Sequence, residues 1–174
     1  MLDFGSLASQ TLAFVQQHQQ WTVPIVFALA LGESLAVISL FIPATVLLLG
    51  VGALIEASGI AFWPVWFAAA AGAVVGDTIS YAFGYYFKDG AKLIWPLSRR
   101  PDLVIVGEAF FARFGVWSVA IGRFFGPARA VVPLIAGILA MRQVPFQLAN
   151  VGSAGLWAFV MLAPGGAALK MLGW

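Results

Sequence analysis

Residues 21–55 are apolar almost without interruption, with Glu33 the one charged position among them. As one straight helix these 35 residues would extend about 52 Å, against a hydrocarbon core of about 30 Å. A single span cannot contain them. Gly32 and Pro43 supply the breaks: proline lacks an N–H and clashes with the preceding turn, yet fits the first position of a new helix. The pattern therefore predicts a broken or re-entrant helical hairpin over residues 22–57. Non-helical backbone at membrane depth persists only where protein or cavity water satisfies it, so such a break marks a site rather than lipid-facing surface.

A second apolar run, 62–87, is long enough to cross a bilayer. It opens on Trp63, Pro64 and Trp66 and closes on Tyr85 and Tyr86, as an interfacial aromatic belt requires. Its Gly72 and Gly76 leave one face bare for another helix to approach, and Asp77 follows them. The connection KDGAKLIWPLSRRPD gathers Lys88, Lys92, Arg99 and Arg100 around two prolines. It reads as a loop over 88–106 with room for one short surface helix, cytoplasmic by the positive-inside rule. Lys170, near the carboxyl end, fits that rule less well.

The pattern then returns. Residues 108–141 are again largely apolar but carry Arg113, Arg123 and Arg129, with breaks expected at Gly126-Pro127 and again at Pro133. This predicts a second hairpin over 107–142, after which Arg142 and Pro145 open a final span over 145–164. Gly32-Glu33 precedes Pro43 by the same interval as Gly122-Arg123 precedes Pro133. Paired interrupted hydrophobic segments in two halves of a chain point to a transporter site at the repeat interface. The expected fold is thus an all-α integral membrane domain spanning 1–174, with two hairpins related by a weak internal, inverted repeat and each followed by a transmembrane helix.

The amino-terminal segment, 1–20, sets Leu2, Phe4, Leu7, Phe14 and Val15 against Gln16, Gln17, Gln19 and Gln20, the pattern of an interfacial helix, although its polar face lacks lysine and arginine. The first basic residue other than His18 is Lys88, so the segment lacks the basic start of a signal peptide and is expected to be retained.

Composition agrees with a membrane location. The chain is 62% hydrophobic and 9% charged with a mean hydropathy of +0.98, whereas soluble domains carry roughly 25% charge. A net charge of +2 serves topology here, and a nucleic-acid partner is not expected. The absence of cysteine excludes disulfides, thiolate metal sites and cysteine nucleophiles. His18, the single histidine, sits among glutamines and reads as a solvated surface residue. There is no HExxH, Walker loop or GxSxG, and Gly50-Val-Gly52 lacks the third glycine of a dinucleotide loop. Neither an enzyme nor a cofactor or metal is expected, and a homo-oligomer stays open.

The charges inside the apolar runs carry the chemistry. An ionisable group at membrane depth costs from about 3 to more than 10 kcal/mol, and it usually faces a wet cavity or a partner. In GRFFGPAR, Arg123 and Arg129 flank one helix break. Two guanidinium forks there can converge on a phosphate, aided by the N–H groups of a half-helix starting at Pro127. The plainer reading is that they snorkel to the interface or pair structurally with Glu33 and Asp77. Glu33 is the candidate for proton coupling, with a fixed counter-ion to an arginine as the alternative. Asp77 either joins the site or pairs locally with Tyr81 one turn on, and the local pairing is the expectation.

GRFFGPARAVVPLIAGILAM, together with GDTISYAFGYYF and GESLAVISLFIPA, resembles the DedA family, whose eukaryotic relatives are the SNARE-associated Golgi or VTT-domain proteins. The similarity covers about residues 32–157. It implies a polytopic inner-membrane protein with two facing re-entrant hairpins, acting in lipid translocation, with proton-motive force implicated in several members. Bacterial members are linked to returning undecaprenyl phosphate, and relatives scramble phospholipids. Carried over, the family's first membrane acid falls on Glu33 and its paired arginines on Arg123 and Arg129. Where many members follow the proline with glycine and a second acid, this chain has Ala44 and Thr45, leaving Thr45 as at most a hydroxyl for the head group or backbone. The resemblance implies translocation of a phosphate-bearing lipid, with undecaprenyl phosphate the first expectation. The alternatives are a proton-coupled transporter of a small cation or solute, and a non-transporting membrane scaffold whose charges are purely structural.

Overall fold

The computed structural model shows how the helical pieces pack. It describes residues 18–35, 44–58, 60–88, 90, 102–125 and 128–171, without side chains at 44–46, 54, 56–58, 103, 128, 130 and 164–171. Every regular element among them is helical. A short turn at Gln19–Trp21 leads into α1 (Thr22–Ser34), followed by α2 (Ala44–Ser58), α3 (Phe62–Phe87), α4 (Asp102–Phe114), α5 (Trp117–Gly122), α6 (Ala128–Ile138) and α7 (Gln143–Met171).

The span expected over 62–87 is α3. The expected arms of the first hairpin are helical, as α1 and α2; Leu35, in an extended conformation, ends α1 three residues after Gly32. The expected helix start at Pro43 and most of the interfacial helix over 1–20 lie outside the described residues. Three expectations are corrected. Residues 102–106 are not loop: they begin α4, which turns Val104, Gly107 and Phe111 inward and leaves Ile105, Val106 and Arg113 exposed. Pro133 does not break the second hairpin but lies inside α6, which tolerates the loss of one N–H, the donor to the Arg129 carbonyl. The last helix starts two residues before Pro145 and runs through Pro164; Pro145 sits in the first turn, where its missing N–H has no helical partner to lose.

Helix α3 is packed by α1, α6 and α7, while α2 packs against α7. Glycines set these approaches. A Cβ on Gly76 would stand 2.7 Å from the Leu31 carbonyl oxygen and 2.7 Å from Ser34 Cβ, and one on Gly72 would meet the Phe27 carbonyl. The glycine pair thus lets α1 lie on α3 almost backbone to backbone, as its spacing predicts.

Two apolar clusters result. One gathers Val26, Leu48, Val65, Ala69, Trp157 and Leu162; the other gathers Tyr81, Phe111, Val119, Ile135 and Phe146. Along both α3 and α7 the buried polar residues fall between the two clusters: Asp77 separates Ala73 from Tyr81, and Asn150 and Ser153 separate Phe146 from Ala154. The outer faces are the reverse. Trp63, Phe67, Val75, Ile79 and Phe83 recur along the exposed side of α3, and Val144, Leu148, Val151, Leu156 and Phe159 along that of α7. Polar inside and apolar outside is the arrangement lipid selects. Phe62–Phe87 and Gln143–Ala163 have the length and apolarity to cross a membrane. At 1.5 Å per residue, Asp77 lies about 22 Å from one end of α3 and about 15 Å from the other.

Candidate functional site: two buried arginine–acid pairs

The site starts from the two breaks. Helix α5 ends at Gly122, and its last turn tightens through bonds from Phe124 N to Ile121 O (3.1 Å) and Phe125 N to Gly122 O (3.1 Å). This leaves Arg123 pointing into the interior, 4% exposed. On the far side of the break, α6 carries Arg129 in its first turn, and the Arg129 N–H reaches back to Phe125 O at 3.3 Å. The end of α1 presents Glu33 and Ser34, both buried, and the close contact at Gly76 brings them against α3 beside Asp77.

Arg123 is held by three side chains. Its Nη2 donates to an Asp77 carboxylate oxygen and to Asn150 Oδ1 at 2.6 Å, and its Nε donates to Ser153 Oγ at 3.0 Å. Arg129 Nη1 donates to Glu33 Oε1 at 2.6 Å, and its Nη2 stands 3.5 Å from Ser34 Oγ. The guanidinium of Arg129 also lies 4.2 Å from the ring centroid of Trp157, a cation–π contact strengthened by desolvation. Ser34 faces both pairs, and Arg129 is in electrostatic reach of Asp77. The four charges therefore form one constellation with no net charge, in which each arginine takes an acid from another element.

Placement of the expected residues is mixed. Glu33, Arg123 and Arg129 come together as the sequence led us to expect. Asp77 does too, which overturns its expected local pairing: the Tyr81 hydroxyl is spent on the Met141 carbonyl, and the Asp77 carboxylate on Arg123. Of the two surroundings expected for such charges, a wet cavity or a partner, these have partners and are buried, with Glu33, Asp77 and Arg123 each about 5% exposed or less. The Thr45 side chain and residues 126–127, the break itself, lie outside the described residues. His18 is exposed.

Sequence reasoning missed Ser34, Asn150, Ser153 and Trp157. A signal existed for three of them: Gln147, Asn150, Ser153 and Trp157 recur every three or four residues along α7 and so share one face. That face also bonds α3 directly, with Gln147 Nε2 donating to Thr78 Oγ1 at 3.0 Å and Asn150 Nδ2 to Val74 O at 3.2 Å. Asn150 thus orients Arg123 while bridging the two spans.

Comparison with known proteins gives the family. The model of the VTT domain matches residues 42–166. The inner membrane protein YabI of Escherichia coli K12 is 33% identical over 87% of this chain and 60% of its own length. An uncharacterized membrane protein of Buchnera aphidicola from Acyrthosiphon pisum is 28% identical over 95% of this chain and 66% of its own. Protein DedA of Escherichia coli K12 is 28% identical over 87% and 70%. The chain spans about six tenths of the length of the first of these relatives. No solved structure matches. With a polar layer buried between apolar faces and relatives named as membrane proteins, the chain belongs to the VTT-domain family of DedA-type membrane proteins.

Proposed function

We propose that this protein carries the phosphate head group of a lipid across the bacterial inner membrane, with Arg123 and Arg129 as the phosphate ligands and Glu33 and Asp77 as the acids that hold them between loads. Undecaprenyl phosphate is the substrate this reading favours. The observation that carries it is the pairing itself: two arginines on either side of one helix break, buried at mid-depth, each neutralised by an acid from another element.

Charge balance then supplies a mechanism. The empty constellation is neutral, and an ion buried without compensation costs several kcal/mol. A phosphate entering with its negative charge can take an arginine only if a carboxylate gives it up, and a carboxylate that takes a proton gives it up at no cost in net charge. Proton uptake by Glu33 or Asp77 and phosphate binding at Arg129 or Arg123 are in this way one exchange, with about one proton per head-group charge. Ser34, facing both pairs, can hand the guanidinium from one acceptor to the next.

The helix packing is compatible with an inverted repeat working by alternating access. Helix α2 of the first half packs on α7 of the second, and α6 of the second packs on α3 of the first, so each hairpin's returning arm rests on the other half's span. In this reading the two hairpins open to opposite sides and residues 88–106 face the cytoplasm. A second reading has its own support: Arg123 and Arg129 each have an acid, as purely structural pairs in a scaffold would. A leaflet-specific head-group assay in proteoliposomes separates them. Lipid movement lost in Arg129→Gln supports carriage, while a wild-type protein that moves no lipid leaves the scaffold. Ion flux without lipid movement would instead indicate a proton-coupled solute carrier.

A further inference from the structure

Several helix glycines among the described residues have visible reasons, but one on α7 does not. Gly155 lies under Trp66, whose ring would stand 3.2 Å from an added Cβ and whose indole N–H donates to the Gly155 carbonyl at 3.0 Å. Gly72, Gly76 and Gly84 admit neighbouring backbone. Gly152 is different: a Cβ there would meet nothing within 4 Å, although glycine in mid-helix is destabilising relative to alanine. Nothing among the described residues needs this position to be small.

The space above Gly152 is a groove of about 370 Å³ between α5 and α7. Val116, Trp117, Phe124, Leu148 and Leu156 line it, and Trp117, Leu148 and Leu156 are more than half exposed, so it opens on the lipid-facing surface. Its lining includes one polar side chain, Ser153, which is 6% exposed and accepts the hydrogen bond from Arg123 Nε. Arg123 itself has a buried Nη1 without a hydrogen-bond partner among the described residues. The groove therefore opens on bulk lipid and ends at a serine that is hydrogen-bonded to a buried cation with an unpaired donor. The second cavity, of about 240 Å³ beneath α4, has no polar side chain in its lining and no such link.

We propose that the α5–α7 groove holds the hydrocarbon chain of the transported lipid, laid over Gly152, while its phosphate reaches Arg123 past Ser153. This rests on the phosphate-carrier reading and deepens it: the protein grips a stretch of tail next to the head, so substrates need a long, single, flexible chain beside the phosphate. A bare phosphate or a head group on a very short chain binds at the arginines without using the groove.

The test fills the groove from its floor. Gly152→Ala adds a methyl to open space, and Gly152→Leu extends a side chain along the groove; both should fold, since no neighbour is displaced and helix propensity improves. Purified full-length variants are placed in phosphatidylcholine vesicles with a long-chain polyprenyl phosphate, and a five-carbon prenyl phosphate serves as the soluble competitor. Long-chain translocation should fall with the size of the side chain added, by less in Gly152→Ala and roughly tenfold in Gly152→Leu, with binding of the five-carbon phosphate unchanged. Long-chain translocation by Gly152→Leu at the wild-type rate, in vesicles where Arg129→Gln is inactive, would overturn the groove and leave the carrier reading standing. Loss of the five-carbon phosphate as well would mean that the substitution damages the head site, which also overturns it. No lipid movement in the wild type would remove both.

Discussion

Asp77→Asn changes one atom's charge and tests whether Arg123 is held by a buried ion pair. The carboxylate is 4% exposed and shares its arginine with Asn150 and Ser153 only. Neutralising it leaves a guanidinium at mid-depth without a counter-charge, and breaking a buried pair from one side costs about 3–5 kcal/mol. Arg123→Gln should cost a similar amount by leaving Asp77 alone. The double variant Asp77→Asn, Arg123→Gln removes both charges while two amides still fill the space beside Asn150 and Ser153. It should therefore cost clearly less than the two single losses summed, with a coupling energy of about 2–3 kcal/mol. The assay is reversible unfolding of the four proteins in one detergent, followed by helical circular dichroism. Single losses that add to within about 0.5 kcal/mol in the double variant would refute the pair. If the arginine also serves transport, the double variant should be well folded and inactive, an outcome a purely structural pair does not produce.

Four further outcomes follow from the geometry. Gly76→Ala drives a methyl into the Leu31 carbonyl oxygen and Ser34 Cβ, each 2.7 Å away, and should destabilise the protein by about 1–3 kcal/mol in the same unfolding assay. Trp157→Phe should cost about 1–2 kcal/mol by weakening the ring beneath Arg129, while Trp157→Ala should cost about 3–5 kcal/mol by adding a cavity in the core. Tyr81→Phe removes the bond to the Met141 carbonyl and should lower stability by about 1 kcal/mol without altering transport. Glu33→Gln leaves Arg129 with an uncompensated positive charge; initial transport rates across a pH series should flatten, and an unchanged pH profile would remove Glu33 from the coupling.

How much of this was legible in the chain depends on the kind of signal. The α3 span was read to its residue limits because composition and aromatic ends define it locally. So was the convergence of Glu33 with Arg129, since charges in apolar hairpins have few other places to go. Asp77 admits two readings in the sequence, membership of the site or a local pairing: a tyrosine one turn away is a local signal, whereas Arg123 lies 46 residues on and is brought in by tertiary packing. Pro133 was taken for a break because proline disfavours helix interiors, yet α6 is clamped on α3 through Gly84 and Gly137, and packing there outweighs one lost bond. Asn150 and Ser153 were passed over because single neutral polar residues in a span are common. Only their shared face with Trp157 sets them apart.

The central claim is that lipid phosphate and protons exchange at one neutral cluster. Its most direct test counts both in the same vesicles, using a leaflet-specific reagent for a polyprenyl phosphate and a trapped pH dye. Protein-dependent lipid movement should be accompanied by about one proton per head-group charge, with both signals lost in Arg129→Gln. Vesicles containing folded wild-type protein that move lipid no faster than protein-free vesicles would contradict the claim.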